Sequence, residues 1–573
     1  MKQINESRLK LKLATILPIA SWLPKYQKGF IKWDLIAGVT LAFFMLPVSM
    51  AYATLAGIPT YFGIYCCLVG GLIFALFTTS KHVAIGPTSS ISLMIGSTVA
   101  VISGGDPVKW AAIAALTAFV VGIISLLAFA FKLSSLINFI SDNILLGFKA
   151  GAALSMMSTQ LPKFFGLKGG GDNIFSTLGN LVPQLSNTNW VVFSFGLVAL
   201  GILILGDIFF PGKPVSLFVV VASIIVLSVT DLASAGVHVT GPIPNALPSI
   251  TIPSLRLRDI DGIIPLAFAC FLMGYIETVS AARTFALKNN YSVNTRQELL
   301  SLGAANLATA FSSGYVVAGG LSQSLVNEKS GARSPMSLII CSVTLAFVLL
   351  FLAGFLKNLP EVVLAAVVLH AVSGLIKIKE LKRIYSLNKQ EFLVAMIALS
   401  GVLVLGILKG VMLAVVMSLV LLIRRLANPV VPVLGRVGQT RQYSDISRHP
   451  DNIIHEGISI QRIESPILYF NTNNIQEKIL SNLDGCVSKT KLLILDLSAV
   501  PGVDIAGSEM FVQLFRQLHK EGISIRIAGA LSNVRDLLRK MQLEEQTGHI
   551  SRTASINELV EEYGTGGMKL VNQ

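Results

Sequence analysis

Apolar stretches of roughly 18 residues or more recur through the first 425 residues, separated by short polar connections. Each could cross the ~30 Å hydrocarbon layer of a bilayer as a helix. The pattern predicts fourteen spans, near 34–56, 62–79, 86–103, 109–131, 135–158, 189–210, 214–231, 262–283, 297–313, 321–331, 335–355, 359–376, 391–408 and 410–425. The last apolar run, Gly410–Ile423, stops at Arg424 and Arg425, and the pattern then changes. Residues 426–452, with Pro429, Pro432 and Pro450, read as a linker. Beyond them IIHEGISIQRIE, PILYFNT, Lys491–Leu497 and Ile523–Ala528 read as strands, with helices over 474–484, Gly507–Glu521 and Ser532–Met541. Strands alternating with helices imply a sheet flanked by helices. The chain therefore divides into a cytosolic segment 1–33, a helical membrane domain 34–425, the linker, and a soluble α/β domain 453–565.

Composition sharpens the picture. Hydrophobic residues make up 53% of the chain and charged residues 13%, about half the share usual in soluble proteins. One soluble core cannot hold so many long apolar runs. The 48 glycines suit helices that approach closely in lipid.

A formal charge of +14 would fit nucleic acid, but much of the excess flanks the apolar runs. Lys132, Arg283, Lys288, Arg296, Lys329, Arg333, Lys377, Lys379, Lys382, Arg383 and Lys389 all follow even-numbered spans, which puts that side and both termini in the cytoplasm. Arg8, Lys10, Lys12, Lys25, Lys28 and Lys32 precede the first span, and the opposite loops carry Lys163, Lys168, Arg256 and Arg258. The N-terminal segment lacks the apolar core and cleavage site of a secretory signal. Five cysteines, Cys66, Cys67, Cys270, Cys341 and Cys486, offer neither a disulfide framework nor a CxxC pair. With no HExxH, GxSxG or P-loop, the sequence predicts no enzyme, cofactor or metal site.

The chain also repeats weakly. Span 1 is interrupted at Met45-Leu46-Pro47-Val48-Ser49 and span 8 at Met273-Gly274-Tyr275-Ile276-Glu277. Span 3 opens at Gly86-Pro87-Thr88-Ser89-Ser90 and span 10 at Gly319-Gly320-Leu321-Ser322. Two halves of seven spans would be inserted in opposite senses, the inverted-repeat plan of many secondary transporters. The two Gly/Ser openings read as helix starts inside the membrane, whose free N–H groups and partial positive charge suit an anion. Ordinary kinks satisfied by neighbouring helices are the alternative. Gln323, Ser324, Ser49 and Tyr52 could reach a ligand there. Glu277 is the only acid from Gly262 to Ala282, and an intramembrane acid marks a transport path unless it pairs with Arg283 or a backbone group. His82 and His370 read as structural.

These residues resemble the sulfate permease family, bacterial relatives of solute carrier family 26. The resemblance is carried by DLIAGVTLAFFMLPVSMAYATLAGIPTYFGIY at 34–65, ALFTTSKHVAIGPTSSISLMIG at 75–96 and the stretch from Met273 to Pro335. The terminal domain resembles a STAS domain, named for sulfate transporters and anti-sigma-factor antagonists. The resemblance implies a polytopic seven-plus-seven inverted repeat like that of uracil permease, with a core moving against a gate, and a homodimer. It places the substrate site at Pro47, Val48, Ser49, Thr88, Ser89, Ser90, Glu277, Gly319, Gly320, Leu321, Ser322 and Gln323. Val48 stands where many members have Gln, and Val316, Ala318, Gly320 and Gln323 replace Pro, Thr, Ser and Arg. The last change removes a fixed positive charge. Ala281 stands where a sodium-dependent branch has Thr, which argues against a sodium site. The STAS turn reads Asp504-Ile505-Ala506-Gly507 and lacks the phosphoacceptor serine of the antagonists.

The expectation is a secondary active transporter of a small oxyanion in a bacterial inner membrane, working by alternating access and coupled to a proton through Glu277. Sulfate leads; bicarbonate, a dicarboxylate or an uncoupled channel are the alternatives, and a cytosolic partner could dock on the STAS domain.

Overall fold

A computed structural model describes residues 16–103, 107–134, 142–167, 174–210, 215–230, 232, 234–241, 243–253, 257–484 and 490–564. Arg8, Lys10, Lys12, Lys168, Arg256, Cys486 and the first residues of the fifth predicted span lie outside them. The chain forms two compact units, Met1–Ser418 and Leu419–Gln573.

Every predicted span coincides with a helix over at least part of its described residues, the last of these helices running on past Ser418. They are α1 (Ile31–Leu55), α2 (Tyr61–Phe77), α3 (Ser89–Ser103), α4 (Pro107–Ala130), α5 (Asp142–Phe164), α6 (Trp190–Phe209), α7 (Val215–Val229), α8 (Leu257–Lys288), α9 (Thr295–Phe311), α10 (Leu321–Lys329), α11 (Met336–Phe347), α12 (Glu361–Ser373), α13 (Lys389–Leu405) and α14 (Ile407–Ala427). Among the described residues, six helical stretches are long and apolar enough to cross a membrane unaided: Lys28–Leu55, Lys109–Ala130, Trp190–Phe209, Gly262–Lys288, Met336–Leu356 and Glu361–Leu387. Helices begin where the sequence supplies caps. The side chains of Asn189, Asn294 and Asn388 accept the first free N–H groups of α6, α9 and α13.

Two expected interruptions are absent. α1 runs continuously through Pro47 and α8 through Met273–Glu277. A proline removes one backbone donor without ending a helix that its neighbours hold in place. The region read as a loop at Lys377–Arg383 instead holds a further helix, Ile378–Leu387.

Packing separates the helices into two groups. α9 lies on α4 and α2, α11 on α1 and α2, and α8 on α4 and α3. α13 lies on α5, and α12 on α5 and α6. Fewer contacts join the groups, chiefly α1 with α12 and α7. Close crossings depend on small residues: a Cβ on Gly63 of α2 would sit 2.0 Å from the Ser49 carbonyl oxygen of α1.

Two short strands, β1 (Ile85–Gly86) and β2 (Ala318–Gly319), pair antiparallel with Ile85 opposite Gly319 and Gly86 opposite Ala318. Each strand follows a helix and leads into another, so α2–β1–α3 and α9–β2–α10 repeat one motif. The starts of α3 and α10, Ser89 and Leu321, are 232 positions apart (321 minus 89).

In the second unit β5 (Ile458–Arg462), β6 (Leu492–Asp496) and β7 (Ser524–Ala528) form a parallel sheet in that order. α15 (Thr472–Asp484), α16 (Ile505–Lys520), α17 (Ser532–Lys540) and α18 (Ile556–Gly564) accompany it. The segment read as a linker is folded: β3 (Leu434–Arg436) pairs with β4 (Tyr443–Asp445), and Val431 and Leu434 are buried. Its prolines mark an edge rather than a tether. The Pro432 carbonyl accepts from Arg462 N, a role that needs no proline donor. PILYFNT is not a strand beyond one bridge, Ile467 to Val503. Asn471 pulls it into a turn, accepting from Leu468 N and donating to Pro466 O.

The start of α1 is anchored by Asp34, which is fully buried. Its carboxylate accepts from Arg333 N (2.6 Å), Ser334 N (3.1 Å), Ser334 Oγ (2.7 Å) and Tyr26 Oη (3.0 Å). Asp34→Ala would leave these donors without their acceptor, at about 1–3 kcal/mol for each that stays dry. Thermal denaturation of the purified protein should show a large loss for Asp34→Ala and a smaller one for Asp34→Asn, whose oxygen still accepts from the backbone. Equal stability of all three proteins would show that the anchor carries no weight.

Candidate functional site

The β1–β2 pair decides the geometry. Backbone pairing satisfies the extended residues on both sides, so two helices can begin deep in the unit without orphaned backbone groups. Four side chains support the pair. Thr278 Oγ1 accepts from Gly319 N at 2.8 Å while donating to Gly274 O. Asn306 donates to Val317 O and accepts from Val317 N, both at 3.0 Å. Ser324 Oγ accepts from Ala84 N at 2.9 Å and donates to Gly320 O. Asn327 donates to His82 O at 3.0 Å. Gly319 must lack a side chain, since a Cβ would lie 2.8 Å from Val83 and 3.0 Å from Thr278 Cα.

The first helix start is enclosed: Thr88, Ser89 and Ser90 are all buried. Ser90 donates to Glu277 Oε1 at 2.8 Å. The other carboxylate oxygen, Oε2, and the Thr88 hydroxyl are buried without a hydrogen-bond partner. Tyr52, one turn beyond Ser49 on α1, lies beside Ser89 and in the field of Glu277. Hydroxyl, carboxylate and helix N-terminus thus meet at the start of α3, with two polar atoms unmatched.

The second start is more open. Leu321 is 47% exposed and Ser322 is exposed too. Gln323 is buried and folds back, with Nε2 3.4 Å from Ala318 O and Oε1 close to Gly86. Ser324 is held in the strand support, its hydroxyl accepting from Ala84 N and donating to Gly320 O. From α1, Pro47 and Val48 are buried, and the Ser49 hydroxyl turns to Leu46 O at 3.1 Å, beside Cys67. Met45 of the same segment reaches Gly86. Thr88, Ser89, Ser90, Glu277, Gly319, Gly320 and Gln323 therefore gather around the strand pair, whereas Ser49 does not present its hydroxyl there.

His82 is structural, as the sequence suggests. Its ring nitrogens bond Tyr291 Oη (3.2 Å) and Ala332 O (3.1 Å), and burial lowers its pKa. His370 sits 3.4 Å from Asp207. Sequence reading missed Thr278, Asn306 and Glu298. The last is fully buried and accepts from Thr78 Oγ1, Thr79 N and Thr79 Oγ1 at 2.7–3.1 Å. All three are polar residues within or beside apolar runs, and that is the signal they carry. An apolar cavity of about 20 Å³ lies between Ile144, Phe148, Met273, Ile276 and Ala414, on the stretch of α8 just before Glu277, and offers no polar group to an ion. Among the described residues no three His, Cys, Asp or Glu side chains come together in a way that could hold a metal ion.

The chain can be set beside known proteins. The sulfate permease family model matches residues 31–398, and a STAS domain model matches 449–555. A probable sulfate transporter of Mycobacterium tuberculosis is 29% identical over 542 residues, covering 93% of this chain and 97% of the relative. The chloroplastic sulfate transporter 4.1 of Arabidopsis thaliana is 29% identical over 567 residues, covering 95% and 82%. Among solved structures, the murine solute carrier 26 family member A9 anion transporter superposes with a TM-score of 0.88 at 22% identity, covering 97% of this chain and 95% of the other. The transmembrane domain of the cyanobacterial bicarbonate transporter BicA gives 0.61 at 23%, covering 68% and 98%. The fold is thus that of a helical solute carrier 26 transporter followed by a STAS domain, and the chain belongs to the sulfate permease family, a family of transporters rather than enzymes.

Proposed function

We propose that this protein is a proton-coupled secondary transporter of a small inorganic oxyanion, with sulfate as the first substrate to test. The observation that carries the reading is the meeting of two helix starts at β1–β2 beside Glu277, with Thr88 Oγ1 and Glu277 Oε2 unmatched. The relatives named as sulfate transporters favour sulfate among the oxyanions.

The chemistry follows from these groups. Free N–H groups at the starts of α3 and α10 would hold anion oxygens, with the Thr88 and Ser89 hydroxyls adding donors. Ser322 and the exposed second start would form the open side. A carboxylate at Glu277 would repel an arriving anion; protonated, it has no charge and offers an O–H donor. Anion and proton therefore strengthen each other's binding, and reciprocal coupling of that kind is symport.

In this reading the fourteen helices cross a plasma membrane as two inverted halves of seven over 34–425, with both termini in the cytoplasm. The group containing α1–α4 and α8–α11 carries the site and moves against the group containing α5–α7 and α12–α14. The STAS domain occupies 453–565 and offers a surface to a cytosolic partner or a second copy. Support comes from the repeated motifs, from the division of helix contacts, and from the basic loops after even-numbered spans.

Proteoliposomes given labelled sulfate or bicarbonate, with and without an inward proton gradient, test the proposal. The expected outcome is gradient-driven sulfate accumulation. Glu277→Gln should abolish the response to the gradient while retaining counterflow exchange. Gradient-driven uptake that survives in Glu277→Gln would remove the coupling role, and conductance without accumulation would replace the carrier with a channel. Thr278→Val tests positioning. Without the hydroxyl that accepts from Gly319 N, the second helix start loses a hydrogen bond worth about 1 kcal/mol, and KM for the anion should rise about fivefold with little change in maximal rate. An unchanged KM would show that β2 is fixed without Thr278.

A further inference from the structure

The helix Ile378–Leu387, between α12 and α13, has no buried residue although it belongs to the membrane unit. Its sequence, IKELKRIYSL, divides cleanly at helical spacing. Ile378, Leu381, Ile384 and Tyr385 share one side, and Lys379, Lys382 and Arg383 share the other. On the apolar side Ile378 is 58% and Tyr385 52% exposed, while Leu381 and Ile384 are half-buried. Leu387, at the end, is 74% exposed.

The helix is held in place rather than loose. It packs on α13, Tyr385 meets Phe392 edge-on at 5.0 Å, and the Asn388 side chain caps α13 immediately after it. Its charge is poorly compensated. From Lys377 to Lys389 there are five basic residues and one acid, Glu380, a net charge of +4 (5 minus 1). Glu380 lies 3.7 Å from Arg383, with both side chains largely exposed. A rigid helix with an uncovered apolar side and a basic side fits an interface between hydrocarbon and anionic headgroups.

We infer that Ile378–Leu387 lies in the membrane surface and binds anionic phospholipid headgroups through Lys377, Lys379, Lys382 and Arg383, with Ile378 and Tyr385 in the acyl region below. Charge complementarity selects the occupant. A peptide or second subunit covering the same side would have to match four positive charges, whereas the bilayer around a membrane protein supplies anionic headgroups at that depth. Bound lipid would hold the α12–α13 connection, which places both helices of one packing group. The inference rests on the proposed topology only for which leaflet is involved.

The test uses the full chain with Cys486→Ser and Ile378→Cys; the described native cysteines are all buried and should not react. A fluorophore at position 378 is read in phosphatidylcholine vesicles, with and without phosphatidylglycerol, that contain a nitroxide-labelled lipid. The expected result is strong quenching with phosphatidylglycerol, weakened by high salt and in a variant carrying Lys377→Gln, Lys379→Gln, Lys382→Gln and Arg383→Gln. Four charges near the surface should shift the helix's membrane affinity by more than about tenfold. A variant with the three lysines changed to arginine should behave like the parent, which separates charge from folding. No quenching in either lipid would overturn the inference and point to protein covering the helix. Equal quenching in both lipids, indifferent to the charge variant, would leave an interfacial helix but overturn the anionic-lipid site. Quenching reads depth in either leaflet, so a reversed topology would not produce these negative results.

Discussion

In a bilayer a backbone N–H or C=O that lacks a partner costs several kcal/mol, so a chain can leave the helix there only if the freed groups are satisfied at once. The β1–β2 pair meets that constraint with four residues. Everything distinctive about the first unit depends on it. α3 and α10 can start inside the unit because the residues before them are paired with each other. Thr278, Asn306, Ser324 and Asn327 complete the pairing from α8, α9 and α10. The same polar atoms that make the interruption tolerable also fix where the two helix starts point.

Buried carboxylates sharpen the contrast between structure and function. Asp34 accepts four hydrogen bonds with its two oxygens, and Glu298 accepts from Thr78 and Thr79 with both of its own. Each ties one helix end to a distant segment, and each is satisfied. Glu277 is different: one oxygen meets Ser90 and the other meets nothing. A fully matched carboxylate has little left to offer a ligand, whereas the second oxygen of Glu277 still has room for a hydrogen bond.

Much of this was legible beforehand. Each predicted span coincides with a helix over at least part of its described residues, and six helical stretches are long and apolar enough to cross a membrane, because helices that face lipid must be apolar around most of their circumference. The Gly/Ser openings located both inner helix starts, because glycine, proline and hydroxyls are the residues that can begin a helix without a preceding turn. Proline misled in two places. Pro47 lies inside α1, and Pro432 lies on a folded edge, because tertiary packing decides whether a missing donor matters. The supporting polar residues were not legible as a set. Thr278 and Asn306 look like isolated tolerances in apolar runs until β2 lies against them. Helix Ile378–Leu387 was hidden by its charge, which reads as a loop unless the alternating apolar side is weighed with it.

That position 323, beside the strand pair, carries Gln rather than Arg has a physical logic. A guanidinium at position 323 would hold a divalent anion strongly in every conformation, and a carrier that binds tightly throughout its cycle releases slowly. Gln323 instead turns its amide toward Ala318 and Gly86, strengthening the strand pair rather than the ligand's field. In the proposed site an anion would meet a pair of helix termini and hydroxyls, whose attraction is short-ranged and depends on geometry. Under the proposed coupling, a negative charge at Glu277 would tip such a site from holding to releasing. One elementary charge a few ångströms away is comparable with everything else that would hold the ion.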